Sequence, residues 1–205
     1  MTPAEWQAAC EGLAEADPVM AGLIARFPGS RLVTREQPFE TLLRAIVGQQ
    51  ISLKAADAIW SRLSAMVRCD SPDSILAASV DGLRQAGLSA RKADYVQDLA
   101  RHFADGRIDP QSFPALGDED IIRELVAVRG IGRWTAEMFL IFHLARPDVW
   151  AVDDIGLQRA VSGLYLDGLR PTPAALRELG ERWRPWRSVA SWYLWRHVEP
   201  QEVVY

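Results

Sequence analysis

The chain has 205 residues, 49% of them hydrophobic, with a formal net charge of −4. That is enough apolar material for a substantial core in one domain or two small lobes. The acidic balance excludes a protein that coats nucleic acid nonspecifically, because phosphate neutralisation by Lys and Arg supplies most of such affinity.

In chain order, nearly every segment reads as helix and no strand series emerges, so an all-α fold is expected. The first twenty residues, MTPAEWQAACEGLAEADPVM, alternate small and acidic residues. Lacking a basic start and a long apolar core, they are not a signal peptide. Asp17-Pro18 opens a helix. Leu42, Leu43, Ile46 and Val47 carry one apolar face into Gly48, where the helix ends; Gln49-Gln50-Ile51 is then an exposed turn before Ser52 caps a run to Val67. Ser71-Pro72 starts a short helix, Ser89 caps a long one through Phe103, and Asp105-Gly106-Arg107 is a loop. Glu119 to Val126 reads as helix, and Gly130-Ile131-Gly132 forces a tight reversal that residues without a Cβ make most cheaply. Arg133 to Leu144 resumes helical spacing, and Arg170-Pro171-Thr172-Pro173 breaks the last part of the chain.

The glycine reversal carries the chemistry. It aims free backbone N–H groups outward at the positive end of the second helix's dipole, where a phosphate oxygen binds without any lysine. Downstream, Asp153-Asp154 precedes another helix; taken alone, both are N-cap aspartates. Acids crowd the first sixteen positions and 118–120, whereas arginines gather at Arg129, Arg133, Arg159, Arg182, Arg184, Arg187 and Arg196. A basic face on an acidic protein, with a localised footprint and steep salt dependence, is therefore expected. Arginine outnumbers lysine 21 to 2, a ratio better assigned to genomic base composition than to phosphate chemistry. The two cysteines, Cys10 and Cys69, cannot make a four-cysteine iron–sulfur cluster and are not arranged like a zinc site. His102, His143 and His197 lack ligand or triad spacing. Trp6 and Trp60 read as core, Trp183 and Trp186 as packing.

Three blocks, in order, resemble one family. They are Pro38-Phe39-Glu40 through Arg44-Ala45-Ile46-Val47-Gly48-Gln49-Gln50-Ile51-Ser52; the stretch LVAVRGIGRWTAEMFLIFHLARPDVWAVDD from Leu125 to Asp154; and Arg182-Trp183-Arg184-Pro185-Trp186-Arg187-Ser188 with Trp192-Tyr193-Leu194-Trp195. Together they span roughly residues 30 to 197 and resemble the helix-hairpin-helix, Gly/Pro, Asp (HhH-GPD) superfamily of DNA glycosylases. The nearest branch is the 3-methyladenine DNA glycosylase II type, in a compact form without the N-terminal β-rich domain.

The resemblance implies two helical lobes, 36–150 with the hairpin and 1–35 plus 151–205 built from both termini, with the active site in a cleft between them. It implies a monofunctional glycosylase that flips alkylated purines such as 3-methyladenine or 7-methylguanine out of double-stranded DNA and hydrolyses the N-glycosidic bond. Asp154, twenty residues after Trp134, takes the catalytic position, leaving Asp153 to cap the helix; Leu157 and Arg159 then fall where the family has an apolar residue and an arginine. Trp134 stands where relatives that also cut the sugar backbone carry a Schiff-base lysine, so no lyase activity is expected. Trp134, Met138 and Trp195 form the base pocket, with Met138 replacing a tyrosine. Gln49, Gln50 and Ile51 occupy the wedge, with Gln50 or Ile51 filling the emptied stack. Arg129, Gly130, Ile131, Gly132, Arg133 and Thr135 grip the DNA backbone, and the carbonyls of Val126, Val128 and Ile131 take the spacing at which relatives hold a monovalent cation. No cofactor is required. The expected protein is a cytoplasmic monomer with no membrane span, nucleoid-associated if bacterial. The rival readings are a non-catalytic DNA-damage binding module and a glycosylase with lyase activity.

Overall fold

The computed structural model describes residues 1–29, 31, 32, 34 and 37–199, and among them every regular element is a helix. The chain divides into two compact units, one contiguous from Arg35 to Phe139 and one made of Met1–Thr34 with Leu140–Tyr205. The junction thus falls at Phe139/Leu140, earlier than the expected 150. Of the spans expected for the lobes, residues 30, 33, 35, 36 and 200–205 lie outside the described residues.

The two-ended unit begins with α1 (Pro3–Ala16) and α2 (Pro18–Arg26). A capping box starts α1: Thr2 Oγ1 accepts the Glu5 N–H at 3.2 Å, and Glu5 Oε2 accepts the Thr2 N–H at 2.6 Å. Asp17 starts α2, its Oδ1 accepting the N–H groups of Val19 and Met20 at 2.8 and 3.3 Å. Its Oδ2 accepts Tyr165 Oη at 2.9 Å and Trp183 Nε1 at 3.0 Å, so a buried charge is satisfied on both oxygens.

The contiguous unit comprises α3 (Pro38–Gly48), α4 (Leu53–Met66), α5 (Pro72–Ala77), α6 (Val80–Gln85), α7 (Ala90–Ala104), a 3₁₀ turn at Phe113–Ala115, α8 (Asp118–Val126) and the first seven residues of α9 (Arg133–Phe142). Ser52, Ser71, Ser79 and Ser89 cap α4 to α7, each hydroxyl accepting an N–H three residues on. The core joins Leu42, Leu43, Ile46 and Val47 of α3 to Ala93, Val96 and Leu99 of α7, closed by an edge-on Phe39–Phe103 pair at 5.1 Å. At roughly 25 cal/mol per Å², each buried leucine or isoleucine contributes about 2 kcal/mol. Trp60 is only half-buried, with the Arg44 guanidinium 5.1 Å over its ring, so it is not the core residue its spacing suggested.

Helical spacing carried α9 to Leu144, but the chain leaves the helix after Phe142 and turns at Ala145, which takes φ +52. Helices α10 (Ile155–Tyr165), α11 (Pro173–Glu181) and α12 (Arg187–Val198) complete the two-ended unit. There α12 packs on α1, α2 and α10, with Trp192 edge-on to Trp6 at 5.4 Å and the Tyr193 hydroxyl 3.3 Å from Cys10 Sγ. Gly180 admits the Trp150 indole, which a Cβ there would meet at 2.7 Å.

Candidate active site

Asp154 lies at the N-terminus of α10 and is only 5% exposed. Its Oδ1 accepts the Leu157 N–H at 2.7 Å and the Trp195 indole N–H at 2.8 Å. The sequence reading gave the capping task to Asp153 and kept Asp154 for chemistry. The structure reverses the first half: Asp154 caps α10 itself, and Asp153 is exposed. Two donors converging on one oxygen fix the plane of the carboxylate, and the dipole of α10 places positive potential beside it.

Trp195 is held as firmly. Its ring stacks on Phe142 at 5.4 Å and 27°, its N–H is committed to Asp154, and it is 6% exposed. The indole N–H is thus engaged by a carboxylate, a contact that the expectation of a pocket wall did not include. Gly156 makes its approach feasible: a Cβ there would lie 3.0 Å from Trp195 Cδ1, 3.3 Å from its Nε1 and 3.1 Å from Asp154 Oδ1. Sequence reasoning missed Gly156, although a glycine in the first turn of a helix is itself a signal.

In the contiguous unit, α8, the turn and α9 form the predicted helical hairpin. Gly130 takes φ +88 with its Cα pressed on the Tyr95 ring, so any side chain is excluded there. The Arg129 N–H donates to Asp98 Oδ2 at 2.9 Å and that of Ile131 to the Val128 carbonyl at 3.1 Å. Among the described residues, the N–H groups of Gly130 and Gly132 have no protein acceptor, and the carbonyls of Val126 and Ile131 accept no protein N–H. Ile131 and Thr135 have buried side chains, so only their backbones can reach a phosphate; Gly132, Arg133 and Trp134 are exposed.

The turn at Gln49–Ile51, expected to be the wedge, is tied to this hairpin. Gln50 adopts φ +57, and Gln50 and Ile51 are exposed. Gln49, expected to touch DNA, donates its amide to the Gly130 carbonyl at 2.8 Å. Lys92 Nζ donates to the carbonyls of Val47 and Gln49, each at 2.7 Å, and closes the C-terminal end of α3. Burial lowers the Lys92 pKa from its ordinary value. This clamp, invisible in the sequence, comes from one of only two lysines.

Four arginines of the expected basic face, Arg129, Arg133, Arg184 and Arg187, are ion-paired. Arg129 is bidentate to Asp94, at 2.5 and 3.1 Å, and reaches Asp98 at 3.4 Å. Arg133 pairs with Glu119 and with Glu137; hydrogen bonding to Glu119 is the main cause of its raised pKa. Arg184 and Arg187 share Asp148 and Glu181, while Arg196 lies over the rings of Phe27 and Trp192. On α9, Trp134 and Met138 follow at a four-residue interval, which puts them on one helix face; Trp134 is 38% exposed and Met138 buried. His102 is engaged by the Asp98 carbonyl and Arg107, and desolvation lowers the pKa of His143. Among the described residues no cluster of His, Cys, Asp or Glu could hold a metal ion, and no helix is long and apolar enough to cross a membrane.

A family model described as HhH-GPD superfamily base excision DNA repair protein matches residues 43–185, which contain the glycine turn, Asp154 and the wedge turn. The chain belongs to this superfamily. Within the HhH-GPD proteins, it is 33% identical over 178 residues to DNA-3-methyladenine glycosylase 1 of Schizosaccharomyces pombe, covering 85% of this chain and 78% of that protein. Its fold is similar to that of a Bacillus halodurans DNA-3-methyladenine glycosidase, with TM-score 0.84, 37% identity and coverage of 92% and 87% of the two chains. It is also similar to the S. pombe 3-methyladenine DNA glycosylase solved in complex with abasic DNA, with TM-score 0.81, 32% identity and coverage of 92% and 95%.

Proposed function

We propose that this HhH-GPD protein is a monofunctional DNA glycosylase of base excision repair, acting as a monomer on alkylated purines such as 3-methyladenine and 7-methylguanine in double-stranded DNA. The observation that carries the reading is the oriented Asp154 carboxylate at the head of α10. As the bond from C1′ to the purine nitrogen breaks, its electron pair leaves with the base and cationic character grows on the sugar. A fixed carboxylate stabilises that charge and takes the proton of the water that adds to C1′. An alkylated purine already carries positive charge and departs neutral, so little acid assistance is needed. The exposed indole of Trp134 offers it a cation–π surface, and Met138 on the same helix face adds a polarisable one. Trp134 also supplies no amine for a Schiff base, which argues against lyase chemistry.

The hairpin's contribution is backbone-borne. The N–H groups of Gly130 and Gly132 suit a phosphate oxygen. The carbonyls of Val126, Val128 and Ile131 suit a hard monovalent cation that would neutralise the phosphate beside it; two of the three accept no protein N–H among the described residues. Gln50 and Ile51, exposed on a turn pinned by Lys92, are the groups to fill the gap left by the flipped nucleotide.

Incubation with methylated DNA and chromatography of the free bases tests the reading. Release of methylpurines is expected, slowed about a hundredfold or more by Asp154→Asn. Undiminished release by that variant would remove Asp154 from the chemistry, and tight binding without release would favour a damage-binding module. Borohydride trapping of an enzyme–DNA adduct would restore the lyase reading.

A further inference from the structure

We infer that Trp195 and Gly156 are positioning residues for the catalytic carboxylate, with the Trp195 indole N–H orienting Asp154 and Gly156 present because a Cβ there would press on both partners. The inference rests on the reading of Asp154 as the reacting carboxylate. Three separate facts carry it. The indole donates to Asp154 Oδ1 at 2.8 Å, on the same oxygen that accepts the Leu157 N–H at 2.7 Å. The indole cannot rotate away easily, since its ring stacks on Phe142 and it is 6% exposed. Finally, a methyl group on residue 156 would lie 3.0 Å from Trp195 Cδ1 and 3.1 Å from Asp154 Oδ1, closer than ordinary packing allows. Alanine is the better helix former, so glycine at this place in α10 sacrifices helix propensity for the indole–carboxylate approach.

The indole N–H adds a second donor to the oxygen that the Leu157 N–H already holds. Donors set in place before substrate arrives preorganise the charge that meets the developing cation. The role differs from that of an aromatic platform under the flipped base. A platform acts through ring area and charge on the base, whereas an orienting donor acts through its N–H and slows every substrate alike.

Trp195→Phe separates the two, because phenylalanine keeps a ring against Phe142 and loses the donor; the accompanying loss of buried ring area is read from the thermal midpoint. Single-turnover base release is to be measured on duplexes carrying one 7-methylguanine or one hypoxanthine, with affinity for an abasic-site duplex and the thermal midpoint of each variant. We expect the rate to fall about ten- to a hundredfold on both lesions, the loss of one hydrogen bond to a charged group, with affinity within about twofold of wild type. A full rate, or a loss confined to the cationic lesion or to affinity, would overturn the inference. Gly156→Ala is the independent check and decides the matter if Trp195→Phe does not fold. Its rate should drop on both lesions while the fold is retained, as the thermal midpoint reports, and an unchanged rate would overturn the inference. Asp154→Asn, run in parallel, keeps the layers apart: a fully active Asp154→Asn sinks the proposed site, whereas an inactive Asp154→Asn beside a fully active Trp195→Phe sinks only the positioning role.

Discussion

Replacement of Gly130 by alanine probes the hairpin at its tightest glycine contact, with an added Cβ 2.1 Å from the Tyr95 ring. Two costs add. The backbone at φ +88 is outside the region open to L side chains, a penalty of about 1–2 kcal/mol. The new Cβ would also lie 2.1 Å from Cδ2 and 2.6 Å from Cε2 of Tyr95, which forces the ring or the turn to move at about 1–3 kcal/mol. The sum, roughly 2–5 kcal/mol, is a large share of the ~5–15 kcal/mol that holds a domain together. Urea unfolding of Gly130→Ala measures it, and the double variant with Tyr95→Ala separates the terms: removing the ring relieves the clash but leaves the dihedral penalty. We expect the double variant to be more stable than the sum of its two single effects by about 1–3 kcal/mol. A single variant within about 0.5 kcal/mol of wild type, or strict additivity, would refute the argument that Gly130 is demanded by Tyr95.

Other expectations concern the same unit. Asp98 is held below the ordinary carboxylate range because hydrogen bonds from the Arg129 backbone and guanidinium outweigh the opposing effect of burial. Its contribution to stability is therefore complete above its unfolded value of about 3.9 and is lost as pH falls through the lower folded value. Asp98→Asn should be about 1–2 kcal/mol less stable than wild type at neutral pH, with the gap closing in strong acid; a constant gap in urea titrations would contradict this. Lys92→Met unpairs the Val47 and Gln49 carbonyls and should cost about 2 kcal/mol, with weaker binding of abasic-site duplex; Lys92→Arg recovers part of both if the clamp matters through its donors. Because Arg129 and Arg133 already face Asp94, Asp98, Glu119 and Glu137, DNA binding should release few counterions. The logarithmic salt slope is expected at about −1 to −3, and a slope steeper than about −5 would show that these ion pairs open on the duplex.

What was legible in the sequence was local. Ser52, Ser71 and Ser89 announce their helices because a cap acts within three residues, and Gly130 announces a reversal because φ above zero is a property of one residue. Thr2-Pro3-Ala4-Glu5 is an equally local signal, a capping box that starts α1. The contacts that were not legible depend on distant partners. Arginine clustering gives no warning that Asp94 and Asp98 on α7 meet Arg129, and nothing local to Gln49 announces its bond to Gly130, 81 residues away. The order of Asp153 and Asp154 could not be decided by pattern either. Which of two adjacent carboxylates caps a helix depends on where the chain enters it, and that is set by the packing around Trp195.

The two-ended unit also has a consequence for biosynthesis. Its first 34 residues leave the ribosome well over a hundred residues before α12, the helix that covers Trp6 and Cys10. At ~5–20 residues per second this delay is on the order of ten seconds. Through that interval the contiguous unit can complete its own core, while the apolar faces of α1 and α2 wait uncovered and Asp17 lacks Tyr165 and Trp183. Nascent chains stalled before α12 should therefore present the uncovered faces of α1 and α2 to chaperones, and full protection there can come only once α12 has been made.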